Sequence, residues 1–345
     1  MVPAAALARM GLRYSLVCAV VKTTFTLLEP QEVQAIIPSK RTTYTRWIAS
    51  KSRKRAFQGR AIHDIQLLPT GKDSAILWLG DRRRAKKVVL YNHGGGYVMP
   101  MMPGHLDLCW ESFVSTGAET GVEVAVALLQ YTLVPRGRMP TQLSQVVAAF
   151  NEIRSQGFAP RDIIVGEESG GGNLTMQLVG HLLKAHPDVP RVTLGEPLAG
   201  VVSMSPALGS NGTTRSFQEN EKYDMITEPP VRKLAVGMLS EGETEKLELV
   251  DNPWARPLDS DPAVYSRLAE VTVKIYFMTG DRELLADHAR FMAGLVKKQA
   301  PDVIVALDEV VGQPHSGILL EALVGEVGQS TKNIKKWFRE VIAAS

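Results

Sequence analysis

The chain has 345 residues, 45% of them hydrophobic and 22% charged, and a net charge of +3. That length and composition suit a soluble α/β domain with an insertion, ample to bury a core. So small a net charge gives no argument for nucleic-acid binding, and none is expected.

Residues 10–28, "MGLRYSLVCAVVKTTFTLL", are apolar but carry Arg13 and Lys22, and the clean run between them is too short to span a bilayer. An amphipathic helix that covers part of the fold, or makes weak contact with a membrane surface, is the favoured reading. A cleaved signal peptide with Arg9 and Arg13 as its basic part is the alternative, although no small-x-small cleavage site follows. A first basic run, "KSRKR", occupies 51–55. From residue 62 the pattern becomes strand-rich: "IHDIQLLP", "AILWLG" and "KVVLYNH". The second basic run, "DRRRAKK" at 81–87, falls between two of these and reads as a solvated hairpin turn. A helical stretch near 106–116 leads to the strand "VEVAVALLQYTL". "PTQLSQVVAAFNEIRSQG" has helical spacing and ends at Gly157.

"DIIVGEES" is a short strand and "GGGNLTMQLVGHLLKAH" the helix after it, stopped by Pro187. "LAGVVSMSP" is a strand ending at Pro206. Residues 207–257 break the rhythm, being polar, Pro-rich and helical in patches; insertions of this kind often carry lids. The strands "VTVKIYFMTG" and "VIVALDE" and the helices "ELLADHARFMAGLVKKQ" and "STKNIKKWFREVIAA" complete the chain. Alternating strands and helices with short connections predict a mostly parallel sheet covered on both faces. The two cysteines, Cys18 and Cys109, share no motif, and no metal-ligand spacing of Cys or His occurs. Neither a disulfide framework, a metal nor a cofactor is implied, and a reducing, cytoplasmic compartment is favoured.

In open parallel sheets, sites form at the C-terminal ends of strands. His93-Gly94-Gly95-Gly96-Tyr97 stands at one such end, Ser169 at the next, Asp281-Arg282-Glu283 at a third and His315 at the last. A serine hydroxyl becomes a nucleophile when a base takes its proton, and histidine can do so near neutral pH. A carboxylate, here Asp281 or Glu283, fixes the imidazole tautomer. A triple-glycine loop presents unobstructed N–H donors to a developing oxyanion, and the amide of Gly170 at a helix start adds another. The glycine loop lacks the spacing of a nucleotide site. Singly, Ser169 could be a helix cap and His315 an ordinary loop residue; their order along successive strand ends argues for a joint task. His93 is expected to be structural, holding the glycine loop.

"HGGGY" at 93–97, "YTLVPRGRMP" at 131–140, "ESGGGNL" at 168–174, "TGDRELLAD" at 279–287 and "PHSG" at 314–317 together resemble the hormone-sensitive-lipase-like branch of the α/β-hydrolases. "PTQLSQVVAAF" and "HLLKAHPDVP" are similar to fungal members, several of which act in secondary metabolism. The resemblance covers roughly 68–343 and implies an α/β-hydrolase fold with a helical cap. It divides the chain into an N-terminal cap segment (1–60), a core (61–206 and 258–345) and a cap insertion (207–257). It implies Ser169 as nucleophile, His315 as base, Glu283 as acid with Asp281 as the alternative, and Gly95, Gly96 and Gly170 as oxyanion donors. Asp287 is then structural.

The departure from the family is Glu167, two residues before the serine, where glycine is usual because the turn is tight. A glutamate there is expected to swing toward the pocket or widen the turn. Its charge would oppose an oxyanion and raise the pKa of His315. Gly170 stands where alanine is usual. The expected activity is hydrolysis of a small to medium apolar ester or lactone, a fungal metabolite among the candidates. A non-hydrolytic cyclisation, isomerisation or elimination with Glu167 or His315 moving protons is the alternative, and a catalytically inactive binding protein the third. The expected partner is a small-molecule substrate.

Overall fold

A computed structural model describes residues 11–71, 73–209, 214–229, 231 and 254–343. The first ten residues, with Arg9, and much of the expected lid at 207–257 lie outside the described residues. Among the described residues, eight strands form one sheet: β1 (Ile65–Leu67), β2 (Ala75–Leu79), β3 (Lys87–Asn92), β4 (Val124–Gln130), β5 (Ile163–Glu167), β6 (Gly200–Met204), β7 (Lys274–Gly280) and β8 (Ile304–Val310). Their spatial order is β1-β2-β4-β3-β5-β6-β7-β8. β2 runs antiparallel to β1 and β4, and all other pairs are parallel.

The central strands are buried along their whole length, which explains why they read as unbroken apolar runs rather than alternating ones. One face packs against the helices Thr141–Ser155, Gly170–Leu183 and Ala286–Gln299, through residues such as Phe150, Leu178 and Met292. The other packs against the helices Pro103–Cys109 and Gln329–Ala343, through Leu106, Trp337 and Phe338. Phe113 and Phe338 meet edge to face at 5.0 Å, and each such side chain contributes roughly 1.5–3 kcal/mol by leaving water.

Two expectations are corrected. The basic run at 81–87 is not a hairpin turn, because β4 lies between β2 and β3. Apolar runs reveal strands but not their partners. Arg82 instead pairs with Asp64 at 2.8 Å, and Lys87, buried, with Asp162 at 2.7 Å, while Arg83 and Arg84 stay largely in solvent. The N-terminal helix Leu12–Leu27 is not cleanly amphipathic. Its buried residues are Ser15 and Cys18, while Leu12, Leu16, Val20 and Leu27 form an exposed stripe. The inward side mixes the apolar Cys18, Val21 and Phe25 with Lys22, whose ammonium donates to the carbonyls of Glu221 and Asp224. No helix among the described residues is long and apolar enough to cross a membrane.

Candidate active site

The strand order reverses at β3, which has β4 on one side and β5 on the other. The loops after β3 and β5 therefore open a crevice at their C-terminal ends, and those after β7 and β8 reach it from the side. Ser169 sits on the sharp turn between β5 and the helix Gly170–Leu183, with φ 56° and ψ −117°, a strained backbone for a non-glycine residue. Its N–H donates to the carbonyl of Met204 at 2.9 Å, which anchors the turn to β6.

Ser169 Oγ lies 2.7 Å from His315 Nε2, and His315 Nδ1 lies 2.8 Å from Glu283 Oε1. The other Glu283 oxygen accepts from Ser205 Oγ at 2.8 Å, Thr279 Oγ1 at 2.7 Å and the N–H of Gly280 at 3.0 Å. A carboxylate only accepts, so the proton of a neutral His315 sits on Nδ1 and the Nε2 lone pair faces the serine. Asp281 does not touch the histidine; it accepts the N–H of Gly312 at 2.7 Å. Asp287 accepts the N–H of Ser216 and pairs with Arg290, both at 2.8 Å.

Gly95 and Gly96 both have positive φ, 92° and 58°. Among the described residues, the amides of Gly95, Gly96 and Gly170 take no backbone acceptor. Gly170 lies so close to the glycine loop that a Cβ there would stand 3.0 Å from the nitrogen of Gly96. His93 holds the loop from beneath: Nδ1 is 2.8 Å from the carbonyl of Gly94, and the ring stacks on Tyr131 at 4.5 Å. The serine, the histidine and these glycines line one apolar cavity of about 120 Å³, walled by side chains such as Val21, Phe25, Met225, Ile226 and Leu319.

A family model described as the alpha/beta hydrolase fold matches residues 89–319, about two thirds of the chain. The chain belongs to that family. A carboxylesterase/phospholipase of Mycobacterium tuberculosis is 26% identical over 261 residues, which cover 76% of this hydrolase-fold chain and 64% of the relative. An esterase of Acinetobacter venetianus is 25% identical over 142 residues, 41% of this chain and 42% of the relative. The chain thus spans less than two thirds of the length of either. A crystal structure of an esterase from the bacterial hormone-sensitive lipase family superposes with a TM-score of 0.65 at 23% identity, covering 96% of this chain and 99% of that one.

Against that family background, the two adjacent glutamates separate. Successive side chains of an extended strand point to opposite faces. Glu167 turns under the helix Gly170–Leu183, where a Cβ on Gly172 would stand 2.5 Å from its carboxyl oxygens. It neither swings toward the pocket nor lines it. Wholly buried beside Ser203, with Glu168 near, its pKa is pushed well above the usual carboxylate range, first by burial. Burial thus favours the protonated form of Glu167. The expectation that it faces the pocket as an acid or base fails because strand parity sends it the other way.

Glu168 is the carboxylate beside the site. It lines the cavity, accepts from Ser316 Oγ and lies 3.4 Å from His105 Nε2. Burial pushes its pKa up, but the bond to His105 and the charges of His105 and His315 outweigh this and hold it below the usual value. His315 is pulled down by burial and pushed up more strongly by Glu283, with Asp224 and Glu168 adding, to about 9. Sequence reasoning missed His105, Ser205 and Ser316, whose partners come from distant segments. Glu168 was within reach, since Glu167 and Glu168 cannot share a face of one strand.

Proposed function

We propose that this protein is a serine carboxylic-ester hydrolase acting on small to medium apolar esters or lactones. The observation that carries the reading is the hydrogen-bonded line from Ser169 through His315 to Glu283, at 2.7 and 2.8 Å, on the wall of an apolar cavity. His315 takes the Ser169 proton as the oxygen attacks the acyl carbon, and Glu283 stabilises the imidazolium. The amides of Gly95, Gly96 and Gly170 receive the oxyanion, each worth about 3 kcal/mol in such sites. The alcohol leaves with the proton from His315. Water, deprotonated by the same imidazole, then releases the acid and restores Ser169.

The helices of residues 12–51 and the segment 214–229 act as the cap. Val21 and Phe25 from the first, and Met225 and Ile226 from the second, face the cavity and favour apolar acyl or alcohol groups. The exposed stripe of Leu12, Leu16, Val20 and Leu27 supports a weak membrane-surface contact beside the entrance. The names of the relatives support ester hydrolysis, and the fungal resemblance points to secondary-metabolite esters among the substrates. A non-hydrolytic reaction driven by Glu167 loses its base, because that carboxyl lies under a helix.

A fluorophosphonate probe is expected to label Ser169, and Ser169→Ala to abolish turnover of a short-chain aryl ester. Full activity in the alanine variant would sink the mechanism. Mass spectrometry of products from cyclic and open-chain esters separates lactone opening, which adds one water to the mass, from ester cleavage, which splits it.

A further inference from the structure

The segment 214–229 carries a carboxylate with no part in the chemistry described above. Asp224 is wholly buried. Its two oxygens reach two different loops of the site. Oδ1 accepts the backbone N–H of His315 at 2.9 Å, and Oδ2 accepts that of Leu284, the residue after Glu283, at 2.5 Å. Oδ1 also accepts the N–H of Met225 at 2.6 Å. On its outer side, the carbonyl of Asp224 accepts Lys22 Nζ at 3.2 Å, and the same ammonium reaches the carbonyl of Glu221 at 3.2 Å. Asn220, on the helix Arg215–Asn220 that precedes this turn, adds Nδ2 bonds to the carbonyls of Asp281 at 3.2 Å and Glu283 at 2.9 Å. The residues beside these contacts, Val21, Met225 and Ile226, line the cavity. A hydrogen-bonded path therefore runs from the N-terminal helix, through Asp224, to the backbone that carries both Glu283 and His315.

We infer that Asp224 is a positioning residue that sets the alignment of Glu283 with His315 and couples the seating of the cap to it. The inference rests on the assignment of Ser169, His315 and Glu283 made above. The geometry favours a carboxylate: each of its two oxygens faces the N–H of a different loop, and an asparagine would turn its NH2 against one of them. Bonds from N–H groups to an ionised acceptor are also the stronger kind. Burial pushes the Asp224 pKa up to about 6, with Glu283 adding, and His315 and the two amides opposing. The group is thus ionised at pH 8, where the test is run. A shift of about an ångström in such a loop costs up to about a hundredfold in rate.

The test compares the wild-type chain with Asp224→Asn and Lys22→Met at pH 8. The first readout is the far-downfield proton resonance of the His315 Nδ1–H, which needs no turnover. The second is kcat and KM for a short-chain aryl ester, per site titrated with fluorophosphonate. Asp224→Asn is expected to lose or shift the resonance and to lower kcat about 10- to 100-fold with KM changed less than about threefold. Lys22→Met leaves the carboxylate in place and is expected to lower kcat several-fold and raise KM, since it loosens the cap alone. An unchanged resonance with kcat within twofold of wild type in a folded Asp224→Asn overturns the inference. If Asp224→Asn does not fold, Lys22→Met and Asn220→Ala decide: wild-type resonance and kcat in both overturn it. If the wild type neither turns over ester nor labels, the hydrolase reading fails, and the resonance alone decides the role of Asp224.

Discussion

The two halves of the site are held in opposite ways. On the serine side, backbone lies against backbone at Gly171: a Cβ there would stand 2.0 Å from the carbonyl oxygen of Asn92. On the acid–base side, side chains hold the loops, with Ser205, Thr279, Asp224 and Asn220 all bonding to the Glu283 or His315 segments. At Gly171 the first half admits no added atom. The second admits changes of shape and depends on charge.

The sharpest way to break this contrast is Gly171→Ala. The obstructing atom is a strand carbonyl that cannot move aside, so the variant is expected to lose about 3 kcal/mol or more of stability, read as a lowered Tm or loss of soluble protein. Its counterpart on the other side is Glu283→Gln, which keeps shape and removes charge. It should fold normally while kcat falls about 10³- to 10⁴-fold. Asp281→Asn, which alters a carboxylate that does not touch the imidazole, should cost far less; equal losses in steady-state kinetics would dissolve the assignment of the acid.

The pH profile tests the same dependence. The base works as neutral imidazole, and His315 is raised to about 9, so kcat/KM is expected to climb with pH, reach half its limit near pH 9 and level above it. Weakening the acid should move that limb to lower pH. The accompanying stability has the sign of a raised histidine: fully present below its unfolded pKa of about 6.5, lost as pH rises through about 9.

Two smaller effects return to the serine side. Gly172→Ala places a Cβ 2.5 Å from the Glu167 oxygens and is expected to cost about 2 kcal/mol alone and almost nothing in a Glu167→Gly background, a coupling that denaturant melts of the four proteins would measure. Gly170→Ala meets the nitrogen and Cα of Gly96 at 3.0 and 3.1 Å. It should lower kcat a few-fold by nudging one oxyanion donor, with little change in Tm.

The fold was legible because β3, β4 and β5 are buried on both faces and read as apolar runs, and because the polar residues between elements gather at strand ends. That alone brought the glycine loop, Ser169 and His315 into one crevice. It could not choose between Asp281 and Glu283, two residues apart on one turn; only the turn's geometry aims the second at the imidazole. The neighbour of β2 was invisible because strand order depends on contacts made across the sheet. Asp224 was invisible for a related reason, since its partner His315 is 91 residues away and no local pattern marks it. Glu167 is different: strand parity, available from the sequence, sends it and Glu168 to opposite faces, and the structure shows that its face is the one under the helix Gly170–Leu183.

That buried glutamate also leaves a thermodynamic mark on the whole chain. A carboxylic acid whose pKa is higher folded than unfolded binds a proton as the protein folds, the reverse of a salt-bridged carboxylate. Above the ordinary glutamate pKa of about 4.3, Glu167 draws stability down as pH rises, until the pH reaches its folded pKa. Refolding at a pH between its unfolded and folded pKa should therefore be accompanied by proton uptake at this residue. Its calorimetric enthalpy should then vary with the ionisation enthalpy of the buffer, and the part of that variation due to Glu167 should vanish in Glu167→Gln.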